Sequence, residues 1–479
     1  MPPGGSGRGG SGGSGGSGSG GRRRPGPPHE SPEAGFPRDR GAPPQGGAPR
    51  PRGRTPDDRR GPHAGSGRRG PLPDQRGTRP QRPSRIDGDA FFATCPRGLE
   101  AALATEIAAL GGRGPEPTDG GVAFYGPREL TMQINLWSRL ASRVLLQVGS
   151  ARYRDEQDVY DAAFKLPWQR WFGVGCTIRV NVTAIRSPLA SLDFITLKIK
   201  DAVCDRFRAE TGERPSVDTA APDVRIHAFL TGQDCTFYLD TSGEALFKRG
   251  YRREAQEAPL RENLAAGLLA LAGWNPSQPL LDPFCGSGTI LIEAALIGCD
   301  IAPGLHRTFG FEKLLWFEAP LWRALRDEAS RRAEAGRKSA QLRLYGADIS
   351  PQALEAAHAN AAGLGLDALI ELRHADAREV GAPAAEGVIV TNPPYGVRLG
   401  VGEDLAALYA AFADNLKRQF AGWRAHLLCG ESALVKAIRL APSRRVPLFN
   451  GALECRLVEY RLVAGSNRKP GPLAAPEDS

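Results

Sequence analysis

The chain has 479 residues and a formal net charge of +9, too long for one core and long enough for about two to four domains. The charge is uneven: residues 1–86 hold 17 Arg, no Lys and six acids, a net near +11, so the rest sums to about −2. No early apolar run suits a signal peptide, none reaches the roughly 18 residues of a spanning helix, and the eight cysteines form no C-x-x-C pair or His-partnered set. A cytoplasmic protein with reduced thiols, no membrane contact and no metal is expected.

Residues 1–87 are Gly, Pro, Ser and Arg without apolar periodicity, which predicts a disordered basic tail. From Asp89, "DAFFATCP" predicts a strand, "RGLEAALATEIAALGG" a helix closed by glycines and "GVAFYG" a strand. "LTMQINLWSRLASRVLLQVG" predicts a longer amphipathic helix, completing an α+β unit over 88–150. A second unit spans 151–253, with "TIRVNVTA", "VRIHAFLTG" and "CTFYLDTSG" as strands. Its helix places Phe194, Ile195, Ile199, Ala202, Val203 and Phe207 on one face and Lys198, Lys200, Arg206 and Arg208 on the other, a solvated face or an RNA contact.

Between 254 and 465 short apolar strands alternate with helices, from "PLLD" and "TILIEAALIG" to "GVIVT" and "RAHLLCG", which argues for a doubly wound, mostly parallel sheet. Asn450-Gly451 then sits between two runs as a hairpin signal. A parallel sheet ending in an antiparallel hairpin outlines a class I, Rossmann-like methyltransferase domain of seven strands. Residues 466–479 form a C-terminal tail.

"LLDPFCGSGTILIEAAL" sets Asp282, Gly286, Gly288 and Thr289 at a strand-to-helix turn, where open α/β sheets bind ligands. A nicotinamide fingerprint needs glycine where Leu291 stands, and a P-loop needs a Lys after Gly288. The loop therefore suits a ligand without phosphates, and S-adenosylmethionine fits that description. Asp348 ends the next strand, where a carboxylate can accept both ribose hydroxyls; Ser350 and Pro351 already supply the helix start, leaving Asp348 available. Asp376, after the third strand, can accept from the adenine amino group or lie exposed.

The fourth strand runs into Asn392, Pro393, Pro394 and Tyr395. The lone pair of an exocyclic base nitrogen is delocalised into its ring. The Asn392 side-chain oxygen and the Pro393 carbonyl can accept its two N–H groups and aim the lone pair at a sulfonium methyl. Prolines fix the backbone without a competing amide donor, and Tyr395 can stack on an extruded base. Positioning then supplies the catalysis, with no metal and no covalent intermediate.

With these motifs, "FFATCPRGLEAAL", "KDAVCDRFR", "RPSVDTAAPDVRI", "DTSGEALFKRGYR", "EAPLRENLAAGLL", "GADISPQALEAAHANAAGLG", "NPPYGVRLG" and "FNGALECRL", in order from Asp89 to Val463, resemble the THUMP-domain RNA methyltransferases that modify guanine N2 in large-subunit (23S) ribosomal RNA. The resemblance implies a ferredoxin-like segment at 88–150, a THUMP RNA-binding domain at 151–253 and a methyltransferase domain at 254–465. It implies cofactor roles for Asp282, Gly286, Gly288, Asp348 and Asp376, with Asn263 flanking them, and a target-base pocket at Asn392 to Tyr395. Some relatives carry a second methyltransferase domain making 7-methylguanine, an activity not expected of this chain. Guanine N2 of transfer RNA, adenine N6 of nucleic acid and an RNA-chaperone role are the alternatives. Ribosomal RNA is the expected partner, and a monomer is plausible.

Overall fold

The computed structural model describes residues 88–252, 260–394, 405–430 and 432–464. The tail and Tyr395, the last residue of the expected base pocket, lie outside the described residues.

The N-terminal half runs β1 (Asp89–Thr94), α1 (Glu100–Ala109), β2 (Arg113–Thr118), β3 (Gly121–Gly126), α2 (Leu130–Trp137), β4 (Arg143–Arg152), α3 (Glu156–Lys165), β5 (Ile178–Ala184), α4 (Leu192–Thr211), β6 (Val224–Leu230) and β7 (Asp234–Asp240). Its strands form one sheet, β2-β3-β1-β4-β7-β6-β5. The helix predicted from Leu130 to Gly149 is thus a correction: it stops at Trp137, and β4 follows. Val144, Leu145 and Leu146 are all buried, an apolar run that periodicity alone does not separate from a helix face. Because β4 pairs with β1 on one edge and β7 on the other, the expected boundary at residue 150 is no break in hydrogen bonding.

Helix α4 begins where the Ser191 hydroxyl accepts from the Phe194 amide and ends on Gly212 at φ 79°. Ile195, Ile199, Ala202, Val203 and Phe207 are buried as predicted, whereas Phe194 is 47% exposed. On the opposite face Lys200 pairs with Asp201, Arg206 with Glu210 and Arg208 with Asp205, so acids of the same helix answer most of the charge offered as an RNA contact.

The C-terminal half runs α5 (Glu262–Ala272), β8 (Leu280–Asp282), α6 (Thr289–Gly298), α7 (Ala319–Ser339), β9 (Leu344–Asp348), α8 (Pro351–Ala362), β10 (Ile370–His374), β11 (Val388–Thr391), α9 (Leu405–Gln419), β12 (Arg424–Cys429), α10 (Ser432–Ala437), β13 (Arg444–Asn450) and β14 (Leu453–Arg461). The sheet order is β10-β9-β8-β11-β12-β14-β13. The first five strands are parallel and β14 is antiparallel to both its neighbours. Asn450 pairs with Leu453, and Gly451 turns at φ 64°, as the hairpin signal predicts. Strand order reverses between β8 and β11, and a crevice at such a switch point is where open α/β sheets hold ligands.

Buried polar groups join the two halves. Arg249 pairs with Glu293 of α6 and donates to the Arg139 carbonyl at 2.6 Å. Arg139 in turn donates to the carbonyls of Ile301 and Leu296, at 2.9 and 3.3 Å. The eight cysteines are mostly buried. No described helix is long and apolar enough to cross a membrane.

Candidate active site

Strand β8 delivers Asp282 to the sheet's C-terminal edge, where it is almost fully buried. Its Oδ1 accepts from the Thr391 hydroxyl at 2.6 Å and the Phe284 amide at 3.2 Å. Burial pushes this carboxyl up to about 7 against those hydrogen bonds, and nearby Asp348 adds to the rise. Thr391 is the last residue of β11 and precedes Asn392, so the bond ties the ends of two neighbouring strands together. Sequence reasoning missed Thr391: a threonine ending a strand carries no signal of a partner 109 residues away.

The loop after Asp282 turns through Gly286 at φ 52° and Gly288 at φ 78°, a conformation that strongly favours glycine. The two glycines differ in what surrounds them. A Cβ on Gly288 would meet the Ala357 Cβ at 3.1 Å, whereas one on Gly286 would meet nothing within 4 Å. Gly288 therefore lets α8 pack close, and Gly286 opens to space a ligand can approach.

Asp348 is not left available as expected: its Oδ2 accepts from the Gly286 amide at 2.8 Å and its Oδ1 from the Ser350 amide at 2.9 Å. A carboxylate offers about four acceptor sites, so Asp348 can clamp the glycine loop and still accept two hydroxyls. Ser350 caps α8 as predicted. Asp376 lies two residues past β10, and Arg378 binds it through Nε at 2.9 Å to each oxygen and through Nη2. These bonds hold its carboxyl below the usual range.

The remaining two cofactor candidates make hydrogen bonds to other residues. The Thr289 hydroxyl accepts from Arg252 at 3.0 Å, and the Asn263 amide donates to the Ser142 hydroxyl at 2.9 Å and the Leu140 carbonyl at 3.3 Å. Asn263 thereby ties α5 to the N-terminal half. Arg252, which sequence reasoning also missed, bridges Glu262 at 2.6 Å, Ser287 at 3.4 Å and Thr289.

Beyond Thr391 the chain leaves the sheet. The Asn392 Oδ1 is buried with no hydrogen-bond partner among the described residues. A buried acceptor left bare costs roughly 1–3 kcal/mol, and an N–H donor arriving there would remove that cost. Pro393 is buried beside it, and the Pro394 carbonyl accepts from the Tyr409 hydroxyl at 3.2 Å, fixing the backbone from α9. The site thus combines open space at Gly286, a clamping carboxylate and an amide oxygen with no partner among the described residues, on adjacent strand ends. Among the described residues no group of three or more His, Cys, Asp or Glu could hold a metal.

A doubly wound sheet with a glycine loop after its first strand and Asn-Pro-Pro after its fourth defines a class I methyltransferase domain. Family models agree along the chain: a ferredoxin-like domain over 90–145, a THUMP domain over 153–240 and an RMKL-like methyltransferase domain over 249–459. Two crystal structures match at similar levels. One is a Listeria monocytogenes protein described as a predicted N6-adenine-specific DNA methylase, at 30% identity and TM-score 0.70 over 78% of this chain and 96% of that one. The other is a candidate methyltransferase complexed with SAH, at 29% identity and TM-score 0.71 over 79% of this chain and 99% of that one. Among curated relatives, a ribosomal RNA large subunit methyltransferase K/L of Shewanella frigidimarina is 40% identical over 384 residues, 80% of this chain and 54% of its own length. Its counterpart in Shewanella loihica is 41% identical over the same span. The chain belongs to the family of THUMP-containing methyltransferases. It spans about half the length of the curated relatives it matches.

Proposed function

We propose that this chain transfers a methyl group from S-adenosylmethionine to the exocyclic N2 of a guanine in large-subunit (23S) ribosomal RNA. The observation that carries the reading is the buried Asn392 Oδ1, without a partner among the described residues, next to the Asp282–Thr391 bond and on the same strand ends as the open space at Gly286. The residues present fit the cofactor: Gly286 leaves room, and Asp348 keeps acceptor sites for two ribose hydroxyls. The bound cofactor supplies an electrophilic methyl on a sulfonium. Asn392 and the Pro393 carbonyl would accept the N2 hydrogens, orienting the nitrogen lone pair for in-line attack. The new N–C bond would replace the sulfonium's S–C bond with release of S-adenosylhomocysteine, and the surplus N2 proton would pass to solvent. Catalysis by such positioning can supply several powers of ten in rate. For Asp376 to accept from the adenine amino group, Arg378 must first release an oxygen. Tyr395 remains the proposed stacking partner for the extruded base.

The names of the Shewanella relatives support the ribosomal substrate, and the THUMP match supports RNA as the class of partner. The cytoplasm is where that RNA would be met. The test is incubation with labelled S-adenosylmethionine and, separately, unmodified large-subunit ribosomal RNA, transfer RNA and DNA, followed by digestion and mass spectrometry of nucleosides. N2-methylguanosine from ribosomal RNA is expected. The same product from transfer RNA alone would overturn the substrate, N6-methyladenine would overturn the base, and no product would overturn the activity.

A further inference from the structure

With residues 87–479 summing to about −2, any hold they have on RNA must be local. A cleft of about 1210 Å³ lies between the 244–252 segment, the chain around His306 and Arg326, and the β13–β14 turn. We propose that this cleft seats the single-stranded RNA flanking the target base, with phosphates on its cations and one base stacked on a shelf made by Phe247 and Arg261. The proposal rests on the methyltransferase reading above.

The first argument is charge. Lys248, Arg252, Arg261, Arg307 and Arg326 line the cleft with two carboxylates, Glu244 and Glu262, which pair with Lys248 and Arg252. Arg249 is taken up by buried Glu293. A net positive charge therefore remains on the cleft, and half-buried Arg261 and Arg326 carry its accessible share. Such a concentration of cations is the footprint of a phosphate backbone. The second is shape. The Arg261 guanidinium lies 4.7 Å from the centroid of the half-buried Phe247 ring, and an aromatic or guanidinium plane is what an unstacked base covers. Across the cleft Leu453 is 54% exposed, an apolar lip beside Asn450, Gly451 and Ala452. Duplex RNA hides its base faces, so this shelf selects a single strand.

The third argument is place. Cys429 pairs with Arg456 and Arg424 with Arg461, so the β13–β14 turn lies beyond the C-terminal end of β12, on the same sheet edge as Asn392. Arg252 on the other wall hydrogen-bonds Ser287 and Thr289 of the glycine loop. The cleft therefore runs along the edge at which a base would be presented. Its 242–248 wall is held in shape by Arg307, which donates to the Glu244 and Ala245 carbonyls at 2.6 and 2.7 Å.

The experiment is fluorescence anisotropy with a short single-stranded RNA oligonucleotide and its duplex across a salt series, alongside calorimetric titration of S-adenosylhomocysteine. It compares wild type, the double variant Lys248→Gln/Arg326→Gln, and Phe247→Ala. Losing two phosphate contacts should lower the slope of log affinity against log salt by about 1.4. Phe247→Ala should weaken single-strand binding at least about fivefold and leave the duplex unchanged. Retained affinity for S-adenosylhomocysteine reports intact folds. RNA affinity and salt slope unchanged in both variants, or an equal loss of duplex binding in Phe247→Ala, would overturn the proposal. Failure of the methyltransferase reading would show separately, as wild-type protein that binds the oligonucleotide in this cleft but yields no methylated nucleoside.

Discussion

At the scale of single residues, Asn392 and Asp282 are set apart by what burial does to each. Asn392 presents a buried acceptor with no partner among the described residues, so Asn392→Ala should leave the cofactor site intact while removing the group that orients the base nitrogen. Methyl transfer is expected to fall by at least about 100-fold with affinity for S-adenosylhomocysteine retained, as single-turnover kinetics and calorimetry would read. Asp282 is a buried acid held near 7, against about 3.9 in an unfolded chain. A folded value above the unfolded one means its contribution to stability is full below about pH 4 and is lost as pH rises to about 7. Asp282→Asn keeps an oxygen for the Thr391 hydroxyl and cannot ionise. Its stability relative to wild type should rise from pH 4 to 7 and level off above, in urea denaturation; a constant offset would show that Asp282 does not titrate in that window.

At the scale of elements, the glycine loop does two jobs that substitution can separate. Gly288→Ala forces a β-carbon to 3.1 Å from Ala357 at φ 78°, which should cost roughly 1–3 kcal/mol as α8 is pushed from α6. Gly286→Ala is strained by its φ of 52° alone, with nothing to strike. It should cost about 1 kcal/mol yet lower cofactor affinity more than Gly288→Ala does, because its methyl projects into the ligand's space. Paired denaturation and calorimetry on the two variants check the ordering. The clamp from Asp348 to the Gly286 amide belongs to the same device, since it fixes the loop against β9 before any ligand arrives.

Across the whole molecule, the two sheets are fastened by charge buried between them. The side chains of Arg249 and Glu293 are 2% and 0% exposed, and Arg249 also holds the Arg139 carbonyl. Removing one partner of such a pair leaves an uncompensated buried charge, a loss of roughly 3–5 kcal/mol. Glu293→Ala is therefore expected to lower the denaturation midpoint of both sheets together, whether followed by tryptophans of the N-terminal half such as Trp168 or by Trp423 of the C-terminal half. An effect confined to the C-terminal signal would show that the halves unfold independently.

Much of this architecture is legible in local sequence. Strand-helix alternation, the Asp282–Gly288 loop, the Asn392–Pro394 stop and the Asn450-Gly451 hairpin are each carried by neighbouring residues whose periodicity or backbone preference has one reading. Only the tertiary structure decided that Val144–Leu146 is strand, since an apolar run serves a buried strand or a helix equally until its partners are known. It alone joined Thr391 to Asp282, set Arg378 on Asp376 and turned Asn263 and Thr289 toward other side chains. The cleft between Lys248, Arg326 and the β13–β14 turn was likewise invisible in the sequence. Local preferences select elements; contacts between residues a hundred positions apart depend on how the elements pack, and burial then decides which polar groups are satisfied and which await a ligand.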